Sequence, residues 1–226
     1  MNFEIVIATP LSELEYKISK TSNYNTLLKF KDTKVNMIFN NKQGLSKIYN
    51  FFLTEDNRDK TIIFIHDDVL LEDSCLFEKL EEAHKTYDVV GLAGNKNCIV
   101  KSPALWHLMS TPDGNRWNNQ GDLRGFVSHI FGNGQSNSSY FGNSPDDVKL
   151  LDGLFLSVNI ESVLDSKVRF DEDFDFHFYD LAFSIRAVNA GLKLGVYPIF
   201  VRHYGLGHTD NNWKDLEPLF IKKYEK

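Results

Sequence analysis

The chain has 226 residues, of which 42% are hydrophobic and 13% aromatic, so it carries enough apolar side chains to bury a sizeable core. Its 25 Lys and Arg against 31 Asp and Glu give a formal charge of −6 at pH 7, which excludes non-specific nucleic-acid binding through a basic surface. An acidic protein that binds a phosphate-bearing ligand must neutralise its own carboxylates locally, and a divalent cation is the simplest way to do so.

The sequence shows no pattern typical of a targeting signal and contains two cysteines. The segment Met1–Ile7 lacks the basic and apolar regions of a signal peptide, and no apolar run reaches membrane-spanning length. Cys75 and Cys98 are too few and too isolated for a disulfide framework or a zinc site. We therefore expect a cytoplasmic protein without a membrane span.

Strand and helix patterns alternate through residues 1–94. In chain order the sequence predicts a strand at Phe3–Ala8, a helix carrying Leu11, Leu14 and Ile18 behind the cap Ser12, a strand at Val35–Phe39, a helix carrying Leu45, Ile48, Tyr49 and Phe52, a strand at Thr61–Ile65, a helix at Ser74–Ala83 and a strand at Val89–Ala93. Such alternation predicts an α/β fold with a mostly parallel central sheet and helices on both faces. Ligands of these folds bind beyond the carboxyl ends of the strands.

The composition changes between residues 95 and 147, where Gly, Asn, Ser and Asp become dense and aromatic residues are scattered among them. This predicts long loops around one or two short strands, such as Gly125–Phe131. Two interpretations stay open: a sugar-binding surface of aromatic rings and amides, or a surface insertion packed by its own aromatics.

Regular patterns return after the insertion. The sequence predicts a strand at Leu150–Val158, a helical turn at Ser162–Leu164, a helix at Tyr179–Ala190 capped by Gly191, a strand at Leu194–Val201 and an amphipathic tail from Asn211. With no repeat and no linker, residues 1–226 are expected to form one domain, with a nucleotide-binding half at 1–94 and an acceptor-binding, catalytic half at 95–226.

The strongest local signal is the pair of carboxylates Asp67 and Asp68, which follows His66 where a buried strand ends. Mg²⁺ and Mn²⁺ are held by one or two carboxylates together with substrate phosphates, so the pair predicts a cation site. The alternative is that both residues only begin a turn and cap the helix near Asp73.

Two further signals lie near the C-terminus. Asp180 opens a predicted helix, where the helix dipole favours a carboxylate that serves either as a cap or as a general base. His203 and His208 flank glycines directly after the last strand, and either imidazole can complete a metal site begun by Asp68. An incidental glycine-rich turn is the alternative for this segment.

The order of these segments resembles the inverting family 2 glycosyltransferases of the GT-A fold, and in particular the bacterial capsule-type sugar transferases. The residues that carry the resemblance are Asn40-Asn41-Lys42-Gln43-Gly44-Leu45-Ser46 with Asn50, Ile62-Ile63-Phe64-Ile65-His66-Asp67-Asp68-Val69, Leu151-Asp152-Gly153-Leu154-Phe155, and Asp180-Leu181-Ala182-Phe183-Ser184-Ile185-Arg186-Ala187 with Ala190, Gly191 and Pro198. The sequence departs from the pattern of that family at two positions. His66 stands where the family has the first carboxylate of its metal motif, and Tyr179 stands where the family has a glutamate.

The resemblance implies a function: transfer of a sugar from a nucleotide-sugar donor, expected to be UDP-linked, to a hydroxyl of a glycan or lipid-linked acceptor. Asp180 would be the catalytic base, and Mn²⁺ or Mg²⁺ would be held by Asp68 with His203 or His208. The residues implied at the donor are Thr9, Pro10, Asn40, Asn50, Asp67, Asp152 and Gly153. Arg186 and Arg202 are electrostatic helpers or partners of surface acids.

Other classes of protein fit less well. A sugar nucleotidyltransferase needs a glycine-rich, basic loop after its first strand, and residues 9–15 contain neither Gly nor a base. A hydrolase of the Ser-His-Asp type needs a Gly-x-Ser-x-Gly elbow, which the chain lacks. A non-catalytic carbohydrate- or nucleotide-binding protein of the same fold would not need Asp68 and Asp180 together.

Overall fold

The structure, a computed structural model, describes residues 1–98, 100, 103–111, 114–117, 119–131, 134–205 and 210–225. Its strands are β1 (Asn2–Ala8), β2 (Lys34–Ile38), β3 (Lys60–Ile65), β4 (Val69–Leu71), β5 (Val89–Gly91), β6 (Ala93–Asn95), β7 (Pro103–Leu105), β8 (Leu108–Thr111), β9 (Gly114–Trp117), β10 (Leu123–Ile130), β11 (Ser136–Gly142), β12 (Asp146–Val148), β13 (Leu150–Leu151), β14 (Phe155–Asn159), β15 (Leu194–Val196) and β16 (Val201–His203). Its α-helices are α1 (Glu13–Ile18), α2 (Tyr24–Leu27), α3 (Leu45–Asn50), α4 (Leu76–Ala83), α5 (Ile160–Asp165), α6 (Tyr179–Asn189) and α7 (Asn211–Tyr224), with short 3₁₀ turns at Glu55–Asn57 and Gln120–Asp122.

A seven-stranded central sheet has the order β12-β15-β5-β14-β3-β1-β2. β1 runs parallel to β2 and β3, and β15 runs parallel to β5. β14 is antiparallel to both β3 and β5, and β12 is antiparallel to β15. Five of the seven strands therefore point the same way, and the predicted α/β fold with a mostly parallel sheet is confirmed.

The centre of this sheet forms where the sequence is most apolar. The four residues Ile62–Ile65 of β3 are fully buried, as a strand covered on both faces requires. α1 begins behind Ser12 as predicted, through a reciprocal capping box with Glu15. Its buried side chain, however, is Tyr16, while Leu14 and Ile18 are 69% and 72% exposed. The apolar spacing thus predicted the helix correctly and its buried face wrongly.

Three predicted strands are each divided in two by a turn. Val89–Ala93 becomes β5 and β6, Leu150–Val158 becomes β13 and β14, and Leu194–Val201 becomes β15 and β16. In each case one piece stays in the central sheet and the other joins a second sheet of order β13-β6-β10-β16-β4, with β11 paired to β10. The chain crosses between the sheets at these turns, and the turn at residues 152–154 lines the candidate site described below.

The insertion is more regular than predicted. β7, β8 and β9 form a small antiparallel sheet, and β10 with β11 forms a long antiparallel hairpin. The strand expected at Gly125–Phe131 is confirmed as part of β10. β11 was missed because its residues, Ser136 to Gly142, are polar and half-exposed, so they lack the apolar signal of a buried strand.

The two sequence halves are interleaved in space. β14 lies between β3 and β5, and one continuous cluster of buried apolar side chains extends through the fold. At the C-terminus α7 packs Trp213 and Phe220 against the ring of Phe178. Among the described residues, no helix combines the length and the apolar character that crossing a bilayer requires.

Candidate active site

Three side chains that could hold a metal ion converge at the junction of the two sheets. His66 follows the end of β3, and Asp68 lies in the tight turn between β3 and β4. β16 pairs with β4 so that His203 stands opposite Val69, the residue after Asp68. The register thereby brings one ligand atom each from His66, Asp68 and His203 within 4.8 Å of one another.

The hydrogen bonds of this cluster leave lone pairs for a cation. The Tyr179 hydroxyl donates its only proton to the Gly153 carbonyl at 2.8 Å, so Nε2 of His66, 2.8 Å from that hydroxyl, must be the donor to it. Nδ1 of His66 is then unprotonated, which is the state a metal ligand requires. His203 Nε2 lies 3.4 Å from Asp68 Oδ1, and His203 Nδ1 is buried without a hydrogen-bond partner among the described residues.

Burial and charge act differently on the two imidazoles. Burial lowers the pKa of His66, which keeps the ring neutral. Burial also acts to lower the pKa of His203, but its hydrogen bond and charge interaction with Asp68 outweigh this and raise the pKa. Two imidazoles and a carboxylate are a donor set that fits a divalent transition metal such as Mn²⁺.

A pocket of about 400 Å³ adjoins the cluster on the side of β1 and α3. Its lining residues are Ala8, Pro10, Asn41, Lys42, Gln43, Gly44, Leu45, His66, Asp67, Asp68, Asp175 and Phe176. Thr9 fixes the nearby Asp67 carboxyl by a 2.5 Å hydrogen bond from Oγ1 to Oδ2, and burial raises the pKa of that carboxyl. Among the described lining residues Lys42 supplies the cationic side chain of this pocket.

The floor of this pocket joins segments that are distant in sequence. The backbone N–H of Leu45, at the start of α3, donates to the carbonyl of Asp175 at 2.7 Å. A Cβ at Gly44 would overlap the Asp175 side chain and lie 2.6 Å from its Cγ. Glycine at position 44 therefore permits a close approach that a larger residue would prevent.

A second pocket of about 420 Å³ lies on the other side of the cluster and shares His66, Asp68 and Phe176 with the first. It contains Asp152, Gly153 and Asp180 of the predicted set, with aromatic and histidine side chains around them. The two pockets meet at the His66–Asp68–His203 cluster, an arrangement that suits transfer of a group between two bound molecules.

Asp180 lies at the start of α6 and points into this second pocket. Phe178, with φ +62°, turns the chain so that Tyr179 and Asp180 begin the helix beside the 152–154 turn. The carboxylate accepts hydrogen bonds from the N–H groups of Gly153 at 3.0 Å and Leu181 at 2.9 Å. Burial first, and then the charge of Asp152, raise the pKa of Asp180 to about 7. A carboxyl with that pKa is suited to proton transfer near neutral pH.

The other residues predicted to bind the nucleotide-sugar donor lie in different surroundings. Asn40 is exposed at a turn with φ +52°, and its neighbour Asn41 lines the first pocket. Asn50 is buried and lines neither pocket, because its side-chain amide is fully used by hydrogen bonds to Phe170 and Glu172. His208 falls outside the described residues.

The two arginines considered as helpers are paired with acids. Arg186 binds Asp171 at 2.8 Å, and Arg202 forms a two-pronged ion pair with Glu72. Neither lines one of the two pockets. Both arginines are therefore partners of acids, as one of the two interpretations expected, but the partner of Arg186 is the buried Asp171 and not a surface acid.

Several residues of the second pocket carried no usable sequence signal. Trp106 donates from Nε1 to Asp152 at 2.5 Å, and Phe176 stacks on His66 with ring centroids 5.8 Å apart. His129 lies opposite His203 in the β10–β16 pairing. Only the pairing of β10 with β16 brings His129 to the site, and a single sequence does not reveal that pairing.

The family of the chain follows from comparison with known proteins. Residues 15–226 match the glycosyltransferase-like family, so the chain belongs to it, and the predicted resemblance to family 2 glycosyltransferases is confirmed. A curated protein of Fuscovulum blasticum, "ATP synthase subunits region ORF 6", is 27% identical over 180 residues, covering 75% of this chain. This chain spans 61% of the length of that relative.

Solved structures share the fold. Protein A197 from STIV has a TM-score of 0.53 at 15% identity, covering 91% of this chain and 87% of that one. A crystal structure of S. aureus TarS 1-349 in complex with UDP has a TM-score of 0.51 at 12% identity, covering 98% of this chain and 64% of that one. The chain therefore has the GT-A fold, as predicted.

Proposed function

We propose that the protein is a metal-dependent glycosyltransferase that moves a sugar from a UDP-linked donor to a hydroxyl of a glycan or lipid-linked acceptor. The observation that carries the proposal is the carboxylate of Asp180 in a cavity that is continuous with the His66–Asp68–His203 cluster. A reactive carboxyl with a pKa near 7 beside a cation site suits displacement of a charged leaving group by a hydroxyl.

The first pocket would hold the nucleotide. Asn41 and Asp67 line it with a neutral and an acidic polar group beside Pro10 and Lys42, a mixture suited to a base, a ribose and one phosphate. The TarS structure of the same fold contains UDP, which makes UDP the first nucleotide to test. Thr9 would act by holding the Asp67 carboxyl in place.

Asp68, His203 and His66 would hold the divalent ion. Such an ion offsets the charge of the pyrophosphate leaving group. Two imidazoles favour Mn²⁺ over Mg²⁺, because Mg²⁺ prefers oxygen ligands only. His66 thus takes the place of the first carboxylate in the family motif.

The second pocket would hold the sugar and the acceptor. Asp180 would accept the proton of the attacking hydroxyl, while Asp152 and the Gly153 backbone shape the wall on which the donor sugar rests. A single displacement by this route inverts the configuration at the sugar carbon.

Ligand-dependent stability tests the proposal directly. Thermal unfolding is measured with UDP, ADP, GDP and the common UDP-sugars, each with and without Mn²⁺. A ligand at about 100 times its dissociation constant adds about 2.7 kcal/mol of stability. We expect stabilisation by UDP or a UDP-sugar only with Mn²⁺, and its loss in Asp68→Asn.

The matched control is Asp56→Asn, an exposed aspartate on the 3₁₀ turn that lines neither pocket. It should keep the full nucleotide effect. If no nucleotide stabilises the protein in the presence of Mn²⁺, the proposed donor site is wrong. Equal effects with Asp68→Asn and wild type would instead remove the metal from the proposal.

A further inference from the structure

The β10–β11 hairpin separates two cavities. Successive side chains of a strand point to opposite faces of its sheet. On one face the hairpin lines the candidate active site through Val127, His129, Ser139 and Phe141. On the other face Phe126 and Tyr140, which are cross-strand partners, line a separate cavity of about 450 Å³.

The lining of this cavity is aromatic and uncharged. Tyr197 and Phe200, from the connection between β15 and β16, line it together with the hairpin, as do Asn143 and Ser144. None of the described lining residues is Asp, Glu, Lys or Arg. The cavity therefore has no group to neutralise a phosphate or a charged peptide side chain.

Two of its aromatic rings and the Asn143 side chain are open to a ligand. Tyr140 is 69% exposed and Phe200 is 42% exposed. The Ser144 hydroxyl is buried at the atom level and has no hydrogen-bond partner among the described residues. Asn143 uses its side-chain oxygen for the Tyr140 hydroxyl at 3.0 Å, which leaves its NH₂ protons available.

This combination matches the chemistry of a neutral sugar. A pyranose ring offers an apolar C–H face to aromatic rings and hydroxyls at its rim, and those hydroxyls can accept from the exposed Asn143 side chain. A purely apolar partner that covered Asn143 would instead leave its NH₂ protons without a partner, at a cost in free energy.

We infer that this cavity is a second carbohydrate-binding site, which takes neutral sugar units of a glycan and lies across the β10–β11 sheet from the candidate active site. It goes beyond the proposed function, since sugar binding here needs neither a nucleotide nor a metal. A glycan held at this site raises the local concentration of its own chain at the enzyme.

Binding is measured by NMR on protein with ¹³C-labelled tyrosine rings, with the Tyr140 and Tyr197 signals assigned from Tyr140→Phe and Tyr197→Phe. The probes are glucose, galactose, mannose, rhamnose and N-acetylglucosamine, then maltotetraose and cellotetraose, without nucleotide or metal. We expect at least one of these sugars to shift both signals with a millimolar or tighter dissociation constant.

The variants separate this site from the active site. In Tyr140→Ala, followed through Tyr197, we expect the dissociation constant to rise about fivefold or more, since a stacked ring is lost. Phe51→Ala removes a 63% exposed ring that lines neither this cavity nor the two pockets of the active site, and should leave binding unchanged. Asp68→Asn should also leave it unchanged, whether or not the nucleotide proposal holds.

Three results would overturn the inference. One is the absence of a shift at Tyr140 and Tyr197 with every sugar of the panel. Another is sugar binding that survives Tyr140→Ala but is lost in Asp68→Asn, which would place the sugar in the active site. The third is binding of benzyl alcohol without binding of any sugar, which would mark an apolar contact surface.

Discussion

At the scale of a single residue, two opposing effects set the pKa of the Asp180 carboxyl. Burial and the charge of Asp152 raise its pKa to about 7, while the N–H groups of Gly153 and Leu181 stabilise the ionised form. The protonated form therefore dominates below that pH. Since a general base must be ionised, activity should fall on the acid side of neutrality.

The pH profile of kcat/KM tests this. We expect kcat/KM to fall about tenfold for each pH unit below the pKa of the base. Asp152→Asn removes a charge that raises the pKa of Asp180, so the acid limb should move to lower pH. Asp56→Asn should leave the limb in place. If Asp152→Asn leaves the acid limb of the kcat/KM profile at the same pH, the group that titrates is not Asp180.

Removal of the proposed base gives a second prediction. Asp180→Asn should lower kcat by roughly a hundredfold to ten-thousandfold, because general base catalysis is lost. The nucleotide-induced thermal shift should persist, since Asp180 does not line the first pocket. Full activity of Asp180→Asn would contradict the assigned role, and loss of nucleotide binding as well would indicate a positional role.

The sequence alone predicted some residues of the candidate site and missed others, for a physical reason. Asp68, His203 and Asp180 each follow a strand end or begin a helix, and those positions are readable from local apolar patterns. His66 was noted in the sequence as the residue at the first position of the metal motif, but its place among the candidate ligands comes from side-chain geometry. His129 joins the candidate site only through the pairing of β10 with β16, and strand register between distant segments leaves no local pattern in a single sequence.

At the scale of elements, the turn between β13 and β14 is held against the start of α6. The Tyr179 hydroxyl donates to the Gly153 carbonyl, and the Gly153 N–H donates to Asp180. A Cβ at Gly153 would overlap the Tyr179 hydroxyl and lie 2.5 Å from the ring carbon that bears it. The approach of turn and helix therefore depends on the glycine.

Gly153→Ala should push α6 and the turn apart. Overpacking of this kind costs about 1–3 kcal/mol of unfolding free energy, and a shifted Asp180 should also lower kcat. The control is Gly121→Ala, where the nearest atom to a Cβ lies 3.5 Å away, an ordinary contact. Urea denaturation and kcat are measured for both variants. Equal, small effects would mean that the turn relaxes freely.

The divided strands show where prediction of secondary structure from the sequence fails. Val89–Ala93 reads as one apolar run, yet the chain turns at Leu92 from the central sheet into the second. Apolarity reports burial, and both pieces are buried, so the run shows no break. The position of a turn within a uniformly buried segment is set by packing between sheets, which local composition does not encode.

At the scale of the whole molecule, the C-terminal helix supports the helix that carries Asp180. Phe220 of α7 is 1% exposed and stacks on Phe178, the residue that turns the chain into α6, with centroids 4.9 Å apart. Lys223 and Tyr224 bind the buried carboxylate of Asp171 at 2.8 and 2.6 Å. α7 is therefore joined to the core by both apolar and polar contacts.

Phe220→Ala should lower the free energy of unfolding by about 3–5 kcal/mol, the usual loss for a buried aromatic ring. The adjacent Leu219, at 40% exposed, is the matched control, and Leu219→Ala should cost far less. Chemical denaturation of both variants gives the two values. A loss from Phe220→Ala as small as that from Leu219→Ala would show that Phe220 contributes little to the packing of the fold.

The interleaving of β14 also bears on how the protein is made. β3 and β5 leave the ribosome well before residues 155–159, yet each needs β14 to pair its inner edge. During that interval the nascent chain presents three unpaired strand edges, one of β3 and both of β5, since the other neighbour of β5 is β15, which is made later still. Unpaired edges of this kind invite pairing with other chains, so the early nascent chain is the stage at which we expect this fold to be most prone to aggregation.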